Sequence, residues 1–167
     1  MLGRIFKGLG IVVLLVVAAI AALFGGARLH DGPLGPIPGG SLASGELVSQ
    51  PPSDWAFAKD VPEIEMQLAY ENTSRTTWVL VRDGVAYIPC SLTTPPGKTW
   101  YKHADENGAA IVRIAGKRYP VTLHRVTDEP TRQALGQVAV AKYPQAARVS
   151  SGGAWFFQIE PRTEAAS

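Results

Sequence analysis

An antiparallel β-barrel or strongly coiled sheet carrying one or two helices, set behind a single N-terminal transmembrane helix, is the fold class this chain predicts. Three observations predict it. An uncharged run covers residues 8–27, with LGIVVLLVVAAIAALF at its centre. Beyond Pro52 the apolar residues alternate with a period of two. Two glycine-containing dipeptides, Asp83-Gly84 and Ala115-Gly116, fall between strand-like runs, where two-residue hairpin turns belong.

The first element is the apolar run. Twenty residues rising about 1.5 Å each span roughly 30 Å, the thickness of a bilayer's hydrocarbon core. Arg4 and Lys7 precede it, whereas Arg28 follows and is soon balanced by Asp31. Positive flanks stay inside, so the N-terminus is expected in the cytoplasm and the remainder in the extracytoplasmic, periplasmic space. A cleavable signal peptide is the competing reading, because Gly25-Gly26-Ala27 offers small residues for cleavage, although the apolar stretch exceeds a usual signal core. Either way, everything after Arg28 is exported.

Three units follow: residues 1–27 as anchor, 28–52 as a Gly/Pro-rich tether and 53–167 as one globular domain, a length suited to a single core. The tether sequence (GGARLHDGPLGPIPGGSLASGELVSQPP from residue 25) cannot sustain a helix. Leu34, Ile37, Leu42 and Leu47 recur along it, as in a strap laid along the domain. The formal charge of +2 comes entirely from Arg4 and Lys7, which disfavours nucleic acid as a partner. Residues 31–71 hold seven acids and one base, and residues 72–167 hold twelve bases and seven acids, so the second half suits an anionic small ligand better.

Within the domain, residues 63–68 (EIEMQL) alternate as a half-buried strand does. The runs 77–82 (TWVLVR) and 85–90 (VAYIPC) flank Asp83-Gly84 as one hairpin, and 110–114 (AIVRI) with 117–126 (KRYPVTLHRV) flank Ala115-Gly116 as another. Pro120 marks the latter strand as bulged or at an edge. A short helical turn is expected near residues 101–106. The longer helix starts at Asp128, carries Pro130 in its first turn and an apolar stripe of Leu135, Val138 and Ala139, and stops at Tyr143-Pro144. Residues 155–159 (WFFQI) supply the closing strand.

Cys90 is the sole cysteine, so no intrachain disulfide can form; its apolar strand context reads as a buried thiol rather than a nucleophile. Three scattered histidines without HxxxH, HExxH or CxxC spacing offer no metal site. His124 alternates with Leu123 and reads as a solvated strand residue.

The order of strand, Asp-Gly hairpin, SLTTPPGKTWY loop, Gly-turned hairpin, helix and closing WFFQIEPR strand resembles the split β-barrel flavin-binding superfamily, which includes pyridoxamine-phosphate-oxidase-like proteins and deazaflavin-dependent nitroreductases. The likeness covers residues 64–162. The stretch from Gly35-Pro36-Ile37-Pro38-Gly39-Gly40 to Trp55-Ala56-Phe57 is similar to that of membrane-anchored bacterial members without an assigned activity. What the resemblance implies is a mainly β split barrel, a homodimer, and FMN or a deazaflavin carrying hydride to a small quinone-like or nitro-like compound. It also implies cofactor-binding roles. Ser91, Thr93 and Thr94 could bond a phosphate; Lys98 and Lys102 could balance its charge, with Arg113 and Arg118 as weaker candidates; Trp100 or Tyr101 could cover the ring. No catalytic side chain is assigned. The alternative for the same loop is a turn shaped by Pro95, Pro96 and Gly97 over packing aromatics, in a non-catalytic barrel that binds a small ligand or an envelope protein. A hydrolase using Cys90 or a serine lacks any GxSxG elbow.

Overall fold

The computed structural model describes residues 2–149 and 153–163; the remaining ends of the expected anchor and domain, Met1 and residues 164–167, lie outside it, as do the side chains of Arg4 and Lys7. Helix α1 covers Leu2–Leu29. Within it, Gly8–Leu29 is 22 residues long with a mean hydropathy of 2.8, long and apolar enough to cross a membrane. None of its most apolar window is buried in protein, unlike a core helix, which hides its stripe against neighbouring elements. The helix meets the domain at Ala27, which is buried.

Among the described residues eight strands form one sheet: β1 Glu46–Leu47, β2 Glu63–Leu68, β3 Ser74–Trp78, β4 Leu80–Arg82, β5 Val85–Ser91, β6 Ala109–Ile114, β7 Lys117–Arg125 and β8 Ala154–Pro161. Their order is β3-β2-β6-β7-β8-β5-β4, antiparallel throughout, and β1 adds to β7 in parallel. The strands β3 and β4 therefore end the path on opposite sides although only Val79 separates them in the chain. That adjacency forces the sheet to coil until its ends approach, giving a split-barrel-like form that is not closed by a ladder.

The run expected as a single strand, 77–82, is thus two strands. Val79 is fully buried at the break, and its backbone is held by the far end of helix α3, Glu129–Lys142. Its carbonyl accepts from Lys142 Nζ at 2.9 Å and lies 2.9 Å from the Tyr143 hydroxyl, which also accepts the Val79 N–H at 3.3 Å. Pairing these groups matters because a buried, unpaired backbone group costs about 1–3 kcal/mol.

Both hairpins turn where expected. Asp83 and Gly84 have φ of 53° and 77°, Ala115 and Gly116 of 49° and 77°, the doubly positive geometry of a twisted two-residue loop. Pro120 is neither at a sheet edge nor on a bulge, because β6 pairs past it, opposite Ile111. Its missing donor falls where the other side of β7 changes partner, from β1 at Lys117 and Arg118 to β8 from Val121 onward. Helix α2, Trp100–Glu106, also forms.

The main core fills the coil with Ile64, Met66, Leu68, Val112, Leu123 and Phe157. A second, smaller core lies on the outer face, where Leu135 and Ala139 of α3 and the following Tyr143 and Ala146 pack on Leu80, Tyr87 and Phe156. Asp128 accepts the Thr131 N–H at 2.9 Å and so caps α3.

Residues 30–48 run along the sheet as a strap. Gly39 and Ser74 exchange backbone hydrogen bonds, Ser74 Oγ donates to Gly40 O at 2.5 Å, and Leu42 N–H donates to Gln67 Oε1 at 2.7 Å. Of the apolar residues spaced along it, Leu42 is buried while Leu34 and Leu47 face outward.

Candidate functional site

The sheet stays open at one seam. Strand β4 pairs only with Val85, Ala86 and Tyr87, so the second half of β5 has no neighbour on that side, and Pro89 cannot donate to one. Facing it is β3, which pairs with β2 and, on its other side, meets the strap only at Ser74, bridged to Gly39. Between them lies a cleft of about 790 Å³, walled by β3, residues 89–91, the 94–100 loop, Phe156 and strap residues 35–38. The seam converts distant segments into neighbours.

Aromatic faces and cations share this cleft. Trp78 stacks on Tyr143 at 4.5 Å with an interplanar angle of 11°, which fixes the orientation of its ring. Trp100 carries the Arg75 guanidinium at 5.5 Å from its ring centroid. Arg75 pairs with Glu71 at 2.6 Å, and its side chain is only 16% exposed. Burial pulls its pKa down and Glu71 opposes that pull, so the guanidinium stays charged. Its Nε is buried without a hydrogen-bond partner. Arg28 and Lys98 supply two further cations, against Glu63 and Glu71. Lys98 Nζ donates to Thr94 O, and burial lowers its pKa.

Four of the residues proposed from sequence meet here: Ser91, Thr94, Lys98 and Trp100. The Ser91 hydroxyl accepts the Thr94 N–H at 3.1 Å and the Thr93 N–H at 3.3 Å, shaping the loop from within. Thr93 is exposed beside it and does not line the cleft. Tyr101 turns away and meets Trp155 edge-on at 5.1 Å. Lys102 is exposed on α2, also outside the cleft. Arg113 binds Asp31 and Glu65, and Arg118 donates to Gly45 O and Leu42 O at 3.0 and 3.2 Å, so both tie down the strap. Sequence reasoning missed Arg28, Arg75 and Trp78. For Arg75 and Trp78 the only sequence signal was polar and aromatic residues in the SRTTW strand, Arg28 read as the flank of the apolar run, and the seam that gathers them is a tertiary feature.

Cys90 borders the cleft, and burial pushes its thiol up to about 11, with Lys98 and Arg75 opposing. It is a thiol at neutral pH, hence a poor nucleophile. His103 Nδ1 lies 2.9 Å from Glu71 Oε1, and His124 pairs with Glu160 on the surface at 3.2 Å. Among the described residues no group of three or more His, Cys, Asp or Glu side chains could hold a metal ion. The arrangement can therefore bind an anionic, partly aromatic molecule.

No family model matches the chain, and no curated protein matches it either. Solved structures do resemble it. One is a domain-swapped dimer, 20% identical with a TM-score of 0.49, covering 60% of this chain and 81% of that one. A second is an F420-H2 dependent reductase (FDR-A), 19% identical with a TM-score of 0.46, covering 60% and 95%. A third is a NimC/NimA family protein from Clostridium acetobutylicum, 15% identical with a TM-score of 0.44, covering 62% and 75%.

Proposed function

We propose that the seam cleft binds FMN or a deazaflavin and that the protein is a membrane-anchored split-barrel oxidoreductase acting on a small quinone-like or nitro-like compound. One observation carries the reading: a single cleft joins three cations to the rings of Trp78, Trp100 and Phe156. That pairing matches a phosphate joined to a flat ring system. The residues fit such a group, because Arg75 Nε is an unused buried donor beside Trp100. When bound, the ring system supplies hydride transfer. The chain's own part is to hold the phosphate with Arg75 and Lys98, orient the ring against the aromatic wall and exclude water with Pro36, Pro38 and Phe156. In this reading α1 spans the membrane with the N-terminus in the cytoplasm and the domain outside, and a second copy of the chain completes a homodimer.

A second reading, a non-catalytic barrel that binds a small anionic ligand, is favoured by one feature of the same cleft. Glu71 is engaged by both Arg75 and His103, and Cys90 is protonated, so no side chain is set up as acid, base or nucleophile. Full-length protein in detergent, titrated with FMN and with a deazaflavin, separates the two. Saturable binding with a shifted visible spectrum is expected. Absence of saturable binding by either compound removes the oxidoreductase and leaves the barrel.

A further inference from the structure

The membrane helix ends in the cleft. Arg28, in the last turn of α1, is a lining residue, and its guanidinium donates to Thr73 Oγ1 at the foot of β3. That end of the helix is fixed against the strap. Gly40 N–H donates to His30 O at 3.0 Å, and a Cβ on Gly40 would come within 2.6 Å of Arg28 O, so the two backbones are packed too closely for any other residue. Ala27, beside it, is 1% exposed.

Arg75 follows Thr73 by two residues and points a second guanidinium at the same space. The two cations repel, and the charge of Arg28 is among the influences that lower the Arg75 pKa. Glu71 neutralises one of them and is itself shared with His103. What remains is a surplus positive charge and the buried Arg75 Nε without an acceptor. Two guanidiniums with free donors are completed by an oxyanion, and phosphate offers the several acceptor oxygens that such a pair can bridge.

We propose that Arg28 and Arg75 form one phosphate-binding site, so that the last turn of the membrane helix is part of the ligand site. Under the flavin reading, on which this assignment rests for its ligand, the phosphate is that of FMN or a deazaflavin. The same chemistry is presented by a lipid headgroup, because Arg28 lies at the end of the 22-residue apolar span. A ligand held between the two arginines links the anchor to the sheet.

Calorimetric titration of the full-length protein in phosphatidylcholine nanodiscs with FMN, riboflavin and inorganic pyrophosphate tests this. Wild type should bind FMN at least about tenfold more tightly than riboflavin, the ratio expected from a charge-assisted contact. Arg28→Gln should weaken FMN about tenfold and leave riboflavin unchanged, with Arg28→Lys partly restoring FMN; Arg75→Lys, which keeps the charge beside Glu71, should also weaken FMN selectively. FMN binding unaltered by Arg28→Gln overturns the proposal. Should neither flavin bind, the flavin reading fails on its own, and pyrophosphate decides the anion site. A pyrophosphate response lost in Arg28→Gln supports it, and a wild type blind to pyrophosphate and FMN alike overturns it. Replacing half of the lipid with phosphatidylglycerol identifies the source: a headgroup ligand suppresses the pyrophosphate response in wild type, and a soluble ligand leaves it intact.

Discussion

Cys90 stands where the main core meets the seam, and burial outweighs the opposing charges of Lys98 and Arg75 in setting its chemistry. Its thiol titrates at about 11 against an ordinary 9.0. Because the folded pKa is raised, the neutral thiol's contribution to stability is complete below pH 9 and is lost as pH rises toward 11, a change on the order of 2–3 kcal/mol. Urea unfolding between pH 8 and 11 should therefore show a steeper loss for wild type than for Cys90→Ala, whose other ionisations are the same; parallel curves would refute it. The sequence pointed to Cys90 as buried because its flanks are apolar, and that local signal sufficed. A local signal also singled out Ser91, Thr94, Lys98 and Trp100, which lie together from the end of β5 to the start of α2 and line one cleft. Arg28 and Arg75 were not legible, since each reads as an ordinary charge until the seam brings residues 47 apart in sequence to one cleft.

At the scale of elements, what the sequence disclosed were the features decided within a few residues. Asp83-Gly84 and Ala115-Gly116 turn their hairpins, and Asp128 caps α3, because backbone angles and capping bonds are local. The break at Val79 was hidden because Trp78 and Leu80 continue an apolar alternation that fits a single strand; only Lys142 and Tyr143, arriving from α3, supply the partners for a backbone that leaves one strand pair for another. The strap was half legible. Its composition showed that it could form neither helix nor long strand, but its attachment is mostly polar. Arg113, whose side chain is 11% exposed, bonds Glu65 on the sheet and Asp31 on the strap, the latter at 3.0 Å, and Asp31 also receives Ala43 and Ser44 N–H. Although burial works to raise the Asp31 pKa, those hydrogen bonds outweigh it and hold the carboxyl well below the usual range. A depressed carboxyl contributes stability above about pH 4 that fades as the pH falls. Arg113→Met keeps the aliphatic stem and removes the clamp. It should cost about 2 kcal/mol and speed amide exchange at Glu46 and Val48 more than in β2, measured by hydrogen exchange and mass spectrometry. Uniform exchange across strap and sheet would count against the clamp.

For the molecule as a whole, the strap decides where the folding unit begins. Gln67 and Ser74 are the buried polar residues of the sheet that faces it, 7% and 0% exposed, and they take their partners from Leu42 and from Gly39 and Gly40. A fragment starting at Ser53 strips those partners away, along with the burial of Leu42. Each stranded group costs about 1–3 kcal/mol and the lost leucine about 2 kcal/mol, so such a fragment should be less stable by about 4 kcal/mol or more than one starting at Arg28. In a domain of this size that is a drop in melting temperature on the order of 10 °C or more, readable by near-ultraviolet circular dichroism. Equal melting would mean that the strap is a passive tether and that the unit begins near Ser53. The lower melting expected of the shorter fragment puts the start of the unit near residue 30, immediately after the last turn of α1. On that boundary no slack chain separates α1 from the sheet, and the Arg28 guanidinium reaches Thr73 at the foot of β3 because the strap holds it there.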